Sequence, residues 1–257
     1  MVELVEGRLY RLGGTAPRDG SISWAPADGS AEPINCYLLL EGDRAMLVDT
    51  GVAAHEEEIM RQLEKVMPLD CRLSIFLTRA ELDCLGNLAA IAREFPVDNV
   101  LTGGVVNPFD AFDHATALVP EPVQFTRGAD MTRIEIGPER ELVVLQPKLR
   151  LLATFWVYDE ETRTMFTSDA FGHRSLVGDG PPVVSDLDVS AVDTTIRAKF
   201  DWLTECARVN EVADTTADAF RRYPTATIAP GHGCVLAGEE CVGAHVDGVL
   251  GALAGYA

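Results

Sequence analysis

The sequence has few basic residues and no long apolar run. Lys and Arg together number 21 against 40 Asp and Glu, which gives a formal net charge of −19. A surface this acidic repels phosphate backbones and anionic lipid, so neither nucleic acid nor a membrane is expected as a partner. No apolar run approaches the roughly 18 residues that a membrane-spanning helix needs.

Regular cysteine spacing is also absent, because the six cysteines include no Cys-x-x-Cys pair. Without a spaced framework, we expect reduced thiols rather than disulfides, as in a cytoplasmic protein. The N-terminus, Met1-Val2-Glu3-Leu4, lacks the basic start of a signal peptide, which supports the same expectation.

Alternating and continuous apolar runs predict strands in the first part of the chain. An opening strand is predicted over Val2 to Leu12, followed by a long loop from Gly13 to Pro33 that is rich in Gly, Pro, Ser and Asp. Two apolar runs, 34–40 and 45–49, are joined by Glu41-Gly42-Asp43-Arg44. This pattern is typical of a β-hairpin.

Helical periodicity alternates with these strands. Helices are predicted for residues 53–66, 192–208 and 211–222. With an apolar fraction of 47%, the economical prediction is a single domain over residues 1–257.

The most informative stretch runs from Thr78 to Asn87 and reads Thr-Arg-Ala-Glu-Leu-Asp-Cys-Leu-Gly-Asn. It follows an apolar run, Leu73 to Leu77, that is predicted as a buried strand, and a helical segment begins at Leu88. The polar residues therefore lie at the carboxyl end of a strand, where open α/β sheets place their sites.

This stretch resembles the metal-binding signature of the metallo-β-lactamase fold, Thr-His-x-His-x-Asp-His-x-Gly-Asn. The nearer likeness is to the variant with Glu at the second ligand position, found in flavodiiron proteins and their oxygen-binding relatives. Glu81 and Asp83 match that variant, but Arg79 and Cys84 stand where histidines are expected.

Other segments extend the resemblance over residues 34–238. Pro147-Lys148-Leu149-Arg150 takes the place of Pro-x-Leu-His, and Asp49 resembles the Asp that supports the site without being a main ligand. Asp169 matches the Asp that bridges two metals, and His232 matches the last His ligand. The resemblance implies an α/β (α+β) fold, the metallo-β-lactamase αββα sandwich.

Carried over residue by residue, the first metal of the di-iron family would be held by four side chains. They are Arg79, Glu81, Arg150 and Asp169. A guanidinium has no free lone pair and stays protonated, so it cannot bind a metal cation. We expect this former metal site to be abolished, with each arginine paired to one of the two carboxylates in the metal's place.

The second metal would be held by a different set of side chains. They are Asp83, Cys84, Asp169 and His232. All are competent ligands, and a thiolate suits zinc. The alternative is that Cys84 is a small buried apolar residue and that no metal binds. His173, next to the Asp169 segment, is expected to support the pocket by hydrogen bonding rather than to bind metal.

Three functions remain open. The first is a degenerate relative of the flavodiiron and oxygen-binding proteins, a pseudoenzyme that acts by binding a small molecule or a protein, a second copy of itself included. The second is a hydrolase with one zinc or iron ion, which would activate water. The third is an anion site formed by Arg79 and Arg150. No di-iron centre is expected in any of them, and no flavin, because 257 residues leave no room for a flavodoxin domain.

Overall fold

The computed structural model describes residues 1–20, 27–102, 124–127, 131–150, 153–178, 180–200, 203, 205 and 208–256. The chain forms two compact units. Unit one comprises Met1–Gly14 and Ile34–Val144, and unit two comprises Thr15–Pro33 and Leu145–Ala257. The prediction of a single domain over residues 1–257 stays a prediction.

Unit one is built on a sheet with the strand order β1-β2-β3-β4-β5-β6-β7. The strands are β1 Val2–Val5, β2 Leu9–Pro17, β3 Ala31–Glu41, β4 Arg44–Val48, β5 Arg72–Leu77, β6 Val97–Thr102 and β7 Gln124–Arg127. β1 pairs antiparallel with β2 and β3 with β4, whereas β4 to β7 run parallel. A further antiparallel hairpin joins β8 (Arg133–Gly137) to β9 (Arg140–Leu145).

The helices of unit one cover the apolar residues of this sheet. They are α1 Glu56–Val66, α2 Leu82–Leu85 and α3 Leu88–Glu94, with a 3₁₀ turn at Ala53–His55. Ile59 of α1 and Leu88 of α3 are fully buried in the same core as Ile75 of β5. Burial of both sheet and helix side chains in one core removes apolar area from water, and this is the main favourable term in folding.

The hairpin of β3 and β4 confirms the sequence prediction, with Leu38 opposite Leu47 and Gly42 at φ +59° in the turn. The predicted opening strand is wrong as a single element, because a turn with Gly7 at φ +65° divides it into β1 and β2. The predicted loop is too long, because β2 runs to Pro17 and β3 begins at Ala31. Residues 21–26 of that loop lie outside the described residues.

In unit two, five strands lie in the order β12-β14-β13-β11-β10. They are β10 Trp156–Asp159, β11 Thr164–Ser168, β12 Val183–Val184, β13 Thr227–Pro230 and β14 Val235–Ala237. The helices are α4 Val192–Lys199, α5 Val209–Arg222 and α6 Glu239–Ala254. α4 ends at Lys199, earlier than predicted, and most of residues 201–207 lies outside the described residues.

Throughout the described ranges, no helix combines the length and the apolar character needed to cross a membrane.

Candidate functional site

Asp49 links the ends of two neighbouring parallel strands in unit one. Its Oδ1 accepts a hydrogen bond from the Thr78 backbone N–H and its Oδ2 one from the Thr78 hydroxyl, both at 2.8 Å. The side chain is buried and its backbone has φ +59°. Burial raises the pKa of Asp49 to about 7, against the opposing effect of the Thr78 hydrogen bonds and of Arg79. The carboxyl group therefore fixes the position of the loop that begins at Thr78.

Two residues that sequence analysis did not single out, Thr50 and Asn87, fix the other end of that loop. The Thr50 N–H and hydroxyl both donate to the Cys84 carbonyl, at 2.6 and 2.9 Å. The Asn87 amide donates to the carbonyls of Thr50 (2.8 Å) and Val52 (3.0 Å). Their signal in the sequence was their position, because Thr50 follows Asp49 directly and Asn87 ends the stretch that begins at Thr78.

Arg79 is a buried cation, with 5% of its surface exposed, and it forms an ion pair and hydrogen bond with Asp83. The Asp83 side chain is 12% exposed. The partners predicted for this arginine were Glu81 and Asp169, and its pairing with either of them stays a prediction. The contact is local, because Asp83 follows Arg79 by four residues around the start of α2. A predicted metal ligand is therefore already bound by a cation.

Cys84 and Glu81 flank this pair. The Cys84 side chain is 2% exposed, and its Sγ lies 3.6 Å from the Thr78 hydroxyl. Glu81 is half-buried, and its carbonyl accepts the N–H groups of Cys84 and Leu85 at the start of α2. The thiol therefore packs beside the hydroxyl that holds Asp49.

Unit two brings Asp169 and His232 together. The Nε2 of His232 lies 3.9 Å from Oδ1 of Asp169, and His232 is 3% exposed. A backbone hydrogen bond of 2.7 Å from Gly231 to Ser168 joins the two segments. Gly172 is required here, because a Cβ at this position would lie 2.1 Å from the His232 carbonyl oxygen.

His173 makes a buried contact with His245, a residue that sequence analysis left without a role. The Nε2 of His173 lies 2.7 Å from Nδ1 of His245, and Nε2 of His245 lies 3.1 Å from the Asp186 carbonyl. Because a carbonyl only accepts, His245 donates to it and accepts from His173. Burial, with His245 and Lys199 as further causes, lowers the pKa of His173 to about 3. His173 is therefore neutral at pH 7, and burial also lowers the pKa of His245.

Lys199 and Glu32 form a second buried contact in unit two. Lys199 Nζ lies 3.6 Å from Oε1 of Glu32, with the side chains 6% and 2% exposed. The same ammonium donates to the Gly172 carbonyl at 3.4 Å. Arg18 approaches the other oxygen of Glu32 at 3.9 Å. A charged cluster thus borders the segment that carries Asp169, and nothing in the sequence pattern indicated it.

Arg150 does not form the predicted pair with Asp169, although both lie in unit two. Within the described part of the chain, no ion pair joins Arg150 to a carboxylate; its backbone N–H donates to the Lys148 carbonyl. Arg150 is half-buried, so water solvates its guanidinium and no buried counter-charge is required.

The predicted ligands of the second metal are divided between the two units. Asp83 and Cys84 belong to unit one, and Asp169 and His232 belong to unit two. Asp83, Asp169 and His232 each offer one oxygen or nitrogen of the kind that binds zinc or iron. That these side chains hold one ion stays a prediction.

The profile of the family described as "ODP family beta lactamase" matches residues 33–233. A curated relative, "Putative diflavin flavoprotein A 1" of Thermosynechococcus vestitus, is 27% identical over 205 residues, which is 77% of this chain and 33% of the relative. The chain thus spans about a third of the length of the curated relatives that it matches.

Solved structures establish the fold. A fragment (1–254) of "putative diflavin flavoprotein A 5" from Nostoc matches with a TM-score of 0.73 at 16% identity, covering 100% of this chain and 96% of the other. A metallo-β-lactamase from Pontibacter korlensis matches with a TM-score of 0.60 at 18% identity, covering 98% of each chain. Flavodiiron proteins are among the other similar structures. The predicted metallo-β-lactamase fold, of the α/β class, is confirmed.

Proposed function

The chain belongs to the ODP family of β-lactamases, and we propose that it is a degenerate member that lacks the first metal site and has no di-iron redox activity. The observation that carries this proposal is the buried ion pair between Arg79 and Asp83. A guanidinium stands where the related di-iron proteins place a histidine ligand of the first metal, and it pairs with Asp83, a predicted ligand of the second.

The residues of the first site do not fit a metal ion. Carried over from the resemblance, they are Arg79, Glu81, Arg150 and Asp169. Two of the four are arginines, which carry five donors and no acceptor and remain protonated at any working pH. Two cations among the ligands would also repel the metal. No reaction step through a di-iron centre is therefore assigned to this chain.

Without that centre, the protein acts by binding. The fold is kept without a metal, and so is the loop that Asp49, Thr50 and Asn87 hold in place. The site therefore keeps its shape, and protein side chains supply the positive charge that a metal would have supplied. The function that this arrangement supports best is binding or regulation, with either a small molecule or another protein as the partner. The chain covers only a third of its curated relatives, so none of their whole-protein activities is transferred to it.

A second candidate function is hydrolysis at one zinc or iron ion held by Asp83, Cys84, Asp169 and His232. It is favoured by the contact between His232 and Asp169 at 3.9 Å. Two ligand atoms of one tetrahedral zinc lie about 3.3 Å apart when each is about 2.0–2.1 Å from the metal. A small decrease in the distance between the His232 and Asp169 atoms would let both of them bind one zinc ion. A bound metal would supply a water of lowered pKa as nucleophile. In this chain, the Asp83 carboxylate would be shared between the metal and Arg79.

Elemental analysis tests the main proposal. Protein purified without chelator is expected to carry no pair of irons and to consume no oxygen with an added reductant. Two irons per chain, with the Mössbauer signature of a coupled pair, would overturn it. The double change Arg79→His with Arg150→His should raise iron content, because imidazoles replace the two cations. Arg61→His, which alters an exposed ion pair with Glu58, is the matched control.

Calorimetric titration with zinc separates the second candidate from the first. Saturable binding of one zinc per chain that is lost in His232→Ala and retained in the exposed control Glu240→Ala would favour the mononuclear site. Binding that is equally strong in His232→Ala would exclude His232 as a ligand, and the absence of any heat would leave the metal-free function.

A further inference from the structure

We propose that a cavity in unit two, independent of the candidate metal site, binds a small apolar α-amino acid in its zwitterionic form. The cavity has a volume of about 190 Å³ and lies against α5 and the segment from Leu145 to Pro147. Trp156 of β10 contributes another part of its lining.

The interior of the cavity suits one aromatic or branched side chain. Leu145, Pro147, Trp156 and Ala219 present carbon atoms to it, and Tyr223 adds a second aromatic ring. An apolar protein cavity of about 150 Å³ admits benzene, so the 190 Å³ found here accommodates a six-membered ring. Apolar lining with a few polar groups is also the usual composition of a small-molecule site.

The charged groups in the lining determine which polar groups the ligand carries at the end opposite its apolar side chain. Asp218 and Arg222 are one turn apart on α5 and both line the cavity. Nη1 of Arg222 and Oδ2 of Asp218 are 3.6 Å apart, while Oδ1 of Asp218 pairs with Arg221 at 2.5 Å. The Asp218 and Arg222 side chains are 43% and 65% exposed. A carboxylate can therefore bind the Arg222 guanidinium, and an ammonium can bind Oδ2 of Asp218, without a large desolvation cost.

A ligand with a single charge fits less well. A monocarboxylate attracted by Arg222 meets the like charge of Asp218, and a simple amine attracted by Asp218 meets Arg222. A zwitterion satisfies both groups at once. The last turn of α5, which ends at Arg222, also favours a cation near its unpaired carbonyls. Phenylalanine has the matching ring, carboxylate and ammonium.

Trp156 makes occupancy of the cavity observable. Its ring is 1% exposed and contacts Phe171 edge to face, with centroids 6.0 Å apart. Phe171 follows Asp169 by two residues and has φ +66°. A ligand that fills the cavity therefore changes the surroundings of the Trp156 ring, and this change is visible in its fluorescence.

The test is a titration of the full chain with L-phenylalanine, by calorimetry and by Trp156 fluorescence in the background Trp24→Phe with Trp202→Phe. We expect saturable binding below about 10 mM, the millimolar range in which a weak small-molecule site operates. Phenethylamine, which lacks the carboxylate, and 3-phenylpropionate, which lacks the ammonium, should each bind roughly tenfold more weakly, as expected when one charge-assisted hydrogen bond is lost.

Variants of α5 make the test specific. Arg222→Met and Asp218→Asn should each weaken L-phenylalanine about tenfold, and Ala219→Leu should abolish binding by filling the cavity. Arg197→Met is the matched control, because Arg197 forms an exposed pair with Asp193 and does not line the cavity. No binding at about 10 mM, equal binding of phenethylamine, or equal effects of Arg197→Met and Arg222→Met would each overturn the proposal.

Discussion

Arg79 is a buried cation among the residues of the candidate site. In the resemblance it replaces a histidine, and in the structure it is buried against Asp83. A buried pair need not add net stability, because desolvation of both charges offsets much of their attraction. Loss of one partner is different, since a charge is then left buried alone.

Arg79→Met is therefore expected to lower the free energy of unfolding by roughly 3–5 kcal/mol. The double change Arg79→Met with Asp83→Asn should recover part of that loss. Arg150→Met is the matched control and should change stability by less than about 1 kcal/mol, because its half-buried guanidinium forms no ion pair within the described residues. Urea unfolding at pH 7 measures all three. Equal losses for Arg79→Met and Arg150→Met would contradict the burial of the Arg79 pair.

The raised pKa of another single residue, Asp49, predicts that the stability of the protein depends on pH. Its pKa rises from 3.8 to about 7 on folding, with burial as the first cause. A raised folded pKa means that the contribution to stability is present below pH 4 and is lost as pH rises toward 7, at about 1.4 kcal/mol per unit. Asp49→Asn should therefore gain roughly 2–3 kcal/mol relative to the wild type between pH 5 and pH 7.

Unfolding midpoints of the wild type and Asp49→Asn at the two pH values measure this gain, and Asp70→Asn, at an exposed site, provides the baseline. The Thr78 hydroxyl can reverse its hydrogen bond to accept from the new amide, so the variant keeps its contacts. A difference that does not vary with pH would show that Asp49 does not titrate in this range.

At the scale of elements, buried ionic contacts connect segments that are far apart in sequence. Lys199 at the end of α4 contacts Glu32 in β3 and the Gly172 carbonyl after β11. The ammonium thus joins the start of β3 to the connection that follows Asp169. A buried ion pair of this kind can fix a loop conformation even where it adds little stability.

Lys199→Met should destabilise the protein by roughly 3–5 kcal/mol, because it leaves the Glu32 carboxylate buried. Adding Glu32→Gln should restore part of that stability. The control is Lys148→Met, whose pair with Glu211 is about half-exposed and should contribute no more than about 1 kcal/mol. Thermal unfolding distinguishes the two lysines, and similar shifts for both would contradict the inference.

At the scale of the whole molecule, the net charge of −19 acts against the folded state. Like charges repel more strongly in a compact chain than in an unfolded one. Raising the ionic strength from about 0.01 to 0.15 M shortens the screening length from about 30 to 8 Å. We expect the unfolding midpoint to rise over this range in calorimetric scans at pH 7.5. A fall would mean that attractive ion pairs outweigh the repulsion.

Local patterns determined a large share of this protein. The strand before Thr78, the hairpin of β3 and β4 and the family itself follow from apolar periodicity and from ordered motifs, because these depend on neighbouring residues. The same local logic showed that Arg79 cannot bind a metal, since that is a property of the guanidinium alone.

The tertiary structure decided which charges meet. Arg79 pairs with Asp83, His173 contacts His245, and Lys199 contacts Glu32. In the last two cases the partners are far apart in sequence, so no period or spacing relates them. Their pairing is set by the packing of α4 and α6 against loops, and by the cost of leaving a buried polar group without a partner.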